Sequence, residues 1–144
     1  MVTSYEQVKE FHEVFGHPVG TKPEVPNDDR SSLRIELIRE ELCELMEAAG
    51  FKDSAAEIRA VYINPDEDYQ PDIVGIADAL GDLDYVVNGA ALECGIDLPR
   101  VTAEVHRSNM TKLGTDGKPI YREDGKILKG EGYEPPNLEK VLFG

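Results

Sequence analysis

The sequence predicts an all-α, four-helix-bundle-like protein with a short C-terminal extension. Two long stretches, 33–49 (LRIELIREELCELMEAA) and 73–94, combine helix-forming residues with apolar positions at helical spacing. Two shorter stretches of the same period, 4–15 and 98–113, lie on either side of them. Gly, Pro and Asp punctuate the chain between them, at Gly16 and Pro18, at Gly50, and at Gly95 and Asp97.

The first stretch reads as a helix from Ser4 to Phe15. Ser4 is placed to cap it, and Val8, Phe11, Val14 and Phe15 make its apolar face. Gly16 ends it and Pro18 prevents continuation. A Pro-rich connection follows over 17–30, and Ser31 or Asp29 can cap the next helix.

That helix, Leu33 to Ala49, is the centre of the chain. Glu40, Glu44 and Glu47 fall on one stripe, with Leu33 and Leu37 upstream on the same side. Ile35, Ile38, Leu42, Leu45, Met46 and Ala49 cover the opposite side. This pattern predicts a helix buried on both sides. Two stacked carboxylates at ~4 Å repel by about 4 kcal/mol at an effective dielectric near 20. Only Arg34 and Arg39 lie within the helix, and Arg39 points away from the stripe. A divalent cation held by oxygen ligands would offset the repulsion; a solvated acidic face is the alternative.

After Gly50 a short helix is expected over 53–61, then an acidic loop at Asp66, Glu67 and Asp68. The loop lacks the Gly of an EF-hand calcium site and carries Pro71 in its place. Ile73 to Cys94 reads as the second long helix, with Ile76, Leu80, Leu83, Val87 and Ala91 as its apolar arc. Asp78 and Asp82 share another face. Gly75, Gly81 and Gly89 suggest close approach by another helix. Asp84 falls near the apolar arc with no partner evident from the sequence. Asp97 caps the helix that begins at Leu98, which carries His106, Asn109 and Lys112. From 114 onward the composition changes to Gly, Pro, Lys and Asp. Asp124-Gly125 marks a hairpin turn, and a last short helix runs from Asn137 to Leu142.

Composition bounds the function. The chain is 144 residues long, 40 % hydrophobic, and expected to form one globular domain, with a core over 4–113 and a tail over 114–144. Fifteen Lys and Arg against 29 Asp and Glu give a net charge of −14, which argues against nucleic-acid binding. No apolar run reaches about 18 residues, so no membrane span is expected. The start, MVTSYEQVKEF, lacks the features of a signal peptide. The two cysteines, Cys43 and Cys94, form no C-x-x-C, and Cys43 reads as a reduced core thiol. These features predict a cytoplasmic protein.

The chemistry lies in two carboxylate sets, Glu40/Glu41/Glu44 and Asp78/Asp82. Packed together they would form an all-oxygen cage suited to Mg2+ or Mn2+ and a phosphorylated ligand. A di-iron bundle needs Glu-x-x-His, and none of His12, His17 or His106 has Glu three residues earlier. There is no zinc spacing, Walker loop or dinucleotide fingerprint. Asn109, Lys112, Lys126 and Lys129 supply polar and cationic groups for a phosphate; ordinary surface lysines are the plain alternative.

Several motifs carry a family resemblance. Glu40-Glu41-x-x-Glu44, IADALGDLDYVVNGAALECGID (76–97), the segment 104–136 and FHEVFG (11–16) occur in order. Together they resemble the MazG-like all-α nucleoside triphosphate pyrophosphohydrolases, including compact phage proteins and MazG-like dUTPases. The resemblance implies cleavage between the α- and β-phosphates to a monophosphate and pyrophosphate. It implies Glu40, Glu44 and Asp82 as metal ligands. Many relatives have Glu-x-x-Asp in the second motif; here Ala79 occupies the first position and Asp78 can substitute, which leaves the number of ions open. Glu41, offset from Glu40 and one turn before Glu44, is assigned as general base or water orienter. Asn109 and Lys112 match a helix that lines the nucleotide pocket. Lys126, Lys129 and Tyr133 match a tail over the phosphates; Phe11 and His12 are candidates for base or sugar contact, with a core aromatic and a surface His as the alternative. The resemblance also implies a homodimer or homotetramer with the bundle completed across subunits. A phosphoribosyl-ATP pyrophosphohydrolase and a non-catalytic helical nucleotide- or protein-binding dimer are the alternatives.

Overall fold

A computed structural model describes residues 2–123 and 126–144. The described residues are all-α apart from one small antiparallel pairing. The helices are α1 (Ser4–Phe15), α2 (Asp28–Ala48), α3 (Lys52–Arg59), α4 (Ile73–Glu93), α5 (Leu98–Met110) and α6 (Leu138–Phe143). Between α5 and α6, β1 (Ile120–Tyr121) pairs with β2 (Ile127–Leu128), Ile120 opposite Leu128. The expected Asp124-Gly125 turn lies outside the described residues.

The helix boundaries follow local capping chemistry. Thr3, rather than Ser4, caps α1. Its side chain accepts from the Glu6 N–H at 3.2 Å, and Glu6 in turn accepts from the Thr3 N–H at 2.8 Å. Gly16 leaves α1 with φ +73°, a conformation that favours glycine. The central helix begins earlier than expected, at Asp28, because Asn27 Oδ1 accepts from the Arg30 N–H at 2.9 Å; Asn27 is therefore the cap instead of Ser31 or Asp29. Asp97 caps α5 as expected, and Asn137 caps α6, which starts one residue later than the sequence pattern suggested.

The chain divides into two compact units: residues 22–77, and residues 2–21 with 78–144. In the first, α2 packs on α3 through Cys43 and Ala55, both buried. The Cys43 thiol is free, as expected, and donates to the Ala55 carbonyl at 3.7 Å. Arg39 reaches the end of α3, donating to the Ile58 carbonyl at 3.4 Å and also to the Val61 carbonyl. It thereby satisfies carbonyls that a helix C-terminus leaves open.

In the second unit α1 packs on α5 and α6 closes against α5. Phe11 stacks on buried Phe15 with ring centroids 4.2 Å apart, and the Tyr121 hydroxyl donates to the Phe15 carbonyl. His106 Nε2 lies 3.1 Å from Glu10 Oε2, joining α5 to α1.

Two expectations about the long helices fail within the single chain. Only Cys43 of α2 is buried, and Leu37, Ile38, Leu42 and Leu45 are 40 to 56 % exposed, so this helix is not covered on both sides. In α4 only Ala91 is buried, and Leu80, Leu83 and Val87 of the expected arc are 42 to 52 % exposed. Among the described residues, a Cβ added at Gly81 or Gly89 would meet nothing within 4 Å. Gly75 has a local reason. A Cβ there would come within 2.9 Å of Asp72 Oδ2, and Asp72 Oδ1 accepts from the Val74 N–H in the first turn at 3.0 Å. Asp84, unexplained from the sequence, is exposed and accepts from the Asn88 side-chain amide.

Candidate active site

Helical spacing brings Glu40, Glu41 and Glu44 together on α2 in the 22–77 unit, all exposed. The five acidic residues from Glu36 to Glu47 divide into two kinds. Glu36 accepts from Arg39 at 2.5 Å, and Glu47 is held by Arg59 of α3. The sequence reading missed Arg59 as a counter-ion because its approach depends on the packing of α3 on α2. Glu40, Glu41 and Glu44 form no ion pair with Lys or Arg among the described residues.

The unneutralised group has an electrostatic consequence. Partial desolvation, then the Glu44 charge and a hydrogen bond shared with Glu44, then the Glu40 charge, raise the Glu41 pKa. A raised carboxylate is a better proton acceptor near neutral pH. Arg59 is itself raised, chiefly by its hydrogen bond to Glu47.

The other expected residues lie in the second unit. Asp78 and Asp82 sit four residues apart on α4, exposed and without an ion pair among the described residues. Asn109 is in the last turn of α5 and Lys112 just beyond it, both half-buried. In the tail, Lys129 Nζ lies 4.7 Å from the centroid of the Tyr133 ring, so these two residues engage one another. Lys126 is exposed beside β2. His12 is drawn into the turn after α1: its Nδ1 lies 2.9 Å from the Pro18 carbonyl oxygen, and its ring is tilted against His17 at 5.2 Å. Among the described residues, no three His, Cys, Asp or Glu side chains gather into a metal-holding group.

A model of the phosphoribosyl-ATP pyrophosphohydrolase family matches residues 8–109, from α1 through most of α5. The chain belongs to this family. The match includes every carboxylate of the two acidic motifs. The fold is shared with a crystal structure of a candidate NTP pyrophosphohydrolase from Exiguobacterium sp. 255-15. That structure is 29 % identical with a TM-score of 0.71, over 96 % of this chain and 91 % of that one. An uncharacterized protein of Acanthamoeba polyphaga mimivirus, L479, is 28 % identical over 131 residues. These are 88 % of this chain but 42 % of the viral protein, so the chain spans less than half the length of that relative. The family match and the structural neighbour agree on an all-α fold of the pyrophosphohydrolase kind. No helix among the described residues is long and apolar enough to cross a membrane.

Proposed function

We propose that this family member is a Mg2+- or Mn2+-dependent nucleoside triphosphate pyrophosphohydrolase that converts an NTP or dNTP and water to the monophosphate and pyrophosphate. dUTP and non-standard dNTPs are the favoured substrates. The observation that carries the reading is the split along α2. Arginines pair with Glu36 and Glu47, whereas Glu40, Glu41 and Glu44 between them form no ion pair among the described residues. In a chain of net charge −14, such a group suits a ligand that brings cations with it.

The donor set fits a hard divalent ion, since every ligand is a carboxylate oxygen. Glu40, Glu44, Asp82 and Asp78 would hold it. When bound, such an ion supplies charge neutralisation at the phosphates and lowers the pKa of water. Glu41 accepts or orients the proton of the attacking water, and its raised pKa suits it to that task. The new P–O bond forms from that water as the bond to pyrophosphate breaks. Asn109 and Lys112 hold the nucleotide, Lys126, Lys129 and Tyr133 its phosphates, and His12 the base or sugar.

The exposed apolar arcs of α2 and α4 support a homodimer or homotetramer, in which a second copy covers them. No nucleic-acid or membrane partner is proposed, and the setting proposed is cytoplasmic.

A substrate panel tests the reading. The common NTPs and dNTPs, dUTP and phosphoribosyl-ATP are each incubated with Mg2+ or Mn2+, and the fastest names the base. The family match is the reason to include phosphoribosyl-ATP, and its turnover alone would replace the nucleoside triphosphate reading. A Mn2+ titration of thermal stability separates a carboxylate cage from a solvated face. A cage gains stability as RT ln(1 + [L]/Kd), and a solvated face barely responds.

A further inference from the structure

The segment 129–134 follows the end of α5 and is anchored there twice. The first anchor is a close backbone approach. A Cβ at Gly130 would overlap the Leu113 carbonyl oxygen and lie 3.0 Å from the Leu113 carbonyl carbon, so the tail needs glycine at this crossing. The second anchor is Glu134, whose N–H, carbonyl oxygen and one carboxylate oxygen are held by α5 and the residue after it. The Ser108 hydroxyl, on a 2 % exposed residue, donates to the Glu134 carbonyl at 2.7 Å. The Glu134 N–H donates to Thr111 Oγ1 at 2.9 Å. Arg107 Nη1 donates to the Glu134 carboxylate at 2.8 Å while its other nitrogens hold Glu104. Arg107 and Thr111 are four apart and Ser108 and Thr111 three apart, spacings that share one side of a helix.

Tyr133 lies between these anchors and Lys129 just before the first, its Nζ 4.7 Å from the centroid of the Tyr133 ring, and the residues that meet the anchors, Thr111 and Leu113, flank Lys112. We propose that Arg107, Ser108 and Thr111 form a clasp on Glu134 that, with Gly130, positions Lys129 and Tyr133 along the 109–113 turn and so sets nucleotide affinity. The inference rests on the proposed function and adds positioning residues to it. The clasp holds the tail in its binding arrangement before the nucleotide arrives, so its loss weakens substrate binding more than chemistry.

The test uses the full chain and two variants, Ser108→Ala/Thr111→Val and the conservative Thr111→Ser, each checked for helicity by circular dichroism. The double variant leaves both Glu134 backbone groups without their partners, so KM for the best nucleotide rises about tenfold while kcat stays within about twofold. Tryptic cleavage after Lys129, measured without nucleotide, accelerates by a similar factor, and Thr111→Ser matches wild type in both readouts. If the double variant loses helicity, Arg107→Gln at its exposed position carries the same comparison. Faster cleavage with unchanged KM would overturn the positioning role, and unchanged cleavage would overturn the clasp. A wild-type protein that hydrolyses no nucleotide would overturn the proposed function and this inference together, a result separate from the other two.

Discussion

Glu41 titrates higher than an isolated carboxylate because partial burial disfavours its charged form and because the charges of Glu44 and then Glu40 oppose its ionisation. Two residue-scale predictions follow from this site and from the clasp. Glu41→Gln keeps the size and removes the proton acceptor, so kcat falls by roughly 10²- to 10⁴-fold. Stabilisation by Mn2+ persists in that variant because Glu40 and Glu44 remain. Steady-state kinetics beside a Mn2+ melting titration check both halves, and normal turnover would remove Glu41 from its role. The second concerns Glu104, held at about 2 by its hydrogen bonds to Arg107 and then to the Asn137 N–H. Its folded pKa is depressed, so its contribution to stability is complete above the unfolded value and is lost as pH falls toward 2. Glu104→Gln should therefore flatten the acid limb of the stability curve below about pH 4.5. Urea unfolding at stepped pH reads this, and an unchanged acid limb would contradict it.

At the scale of elements, the helices were legible in the sequence because their causes are local. Helical periodicity, Gly16, Asp97 and the Gly–Pro connections act within a few residues, and the helices fall where those signals put them. Caps were less legible. Thr3 and Asn27 outcompeted Ser4 and Ser31 because the choice depends on which oxygen reaches an open N–H, and neighbouring residues offer similar oxygens. Contacts between elements were not legible. Arg59 neutralises Glu47, and Arg107 bridges Glu104 to Glu134 across 27 residues, because of packing that no spacing rule shows. The α2–α3 contact yields its own prediction. Ala55 is 1 % exposed against Cys43, so Ala55→Leu overfills it and costs about 1–3 kcal/mol. Chemical denaturation measures this, and an unchanged midpoint would show that α3 can move aside.

For the whole molecule, the composition excluded functions more firmly than it chose one. A net charge of −14 left little room for nucleic acid as a partner, while the carboxylate motifs and their order pointed to phosphate chemistry. The pattern of α2 predicted burial on both sides, whereas its Leu37, Ile38, Leu42 and Leu45 are 40 to 56 % exposed. Leu80 and Leu83 of α4 are 52 and 42 % exposed, and the proposed oligomer covers them with a second copy. Leu80→Glu/Leu83→Glu should therefore convert a dimeric or tetrameric wild type to monomer in sedimentation velocity. A wild type that sediments as a monomer would contradict the role given to this face.

The central claim is hydrolysis of a nucleoside triphosphate to monophosphate and pyrophosphate at the Glu40–Glu41–Glu44 face. Product analysis tests it most directly: wild type and Glu41→Gln are incubated with the preferred nucleotide and Mg2+, and the nucleotides are separated by chromatography. Monophosphate with equimolar pyrophosphate and no diphosphate from wild type, and neither product from Glu41→Gln, is the result expected. Diphosphate with inorganic phosphate, or equal turnover by the variant, would contradict the account.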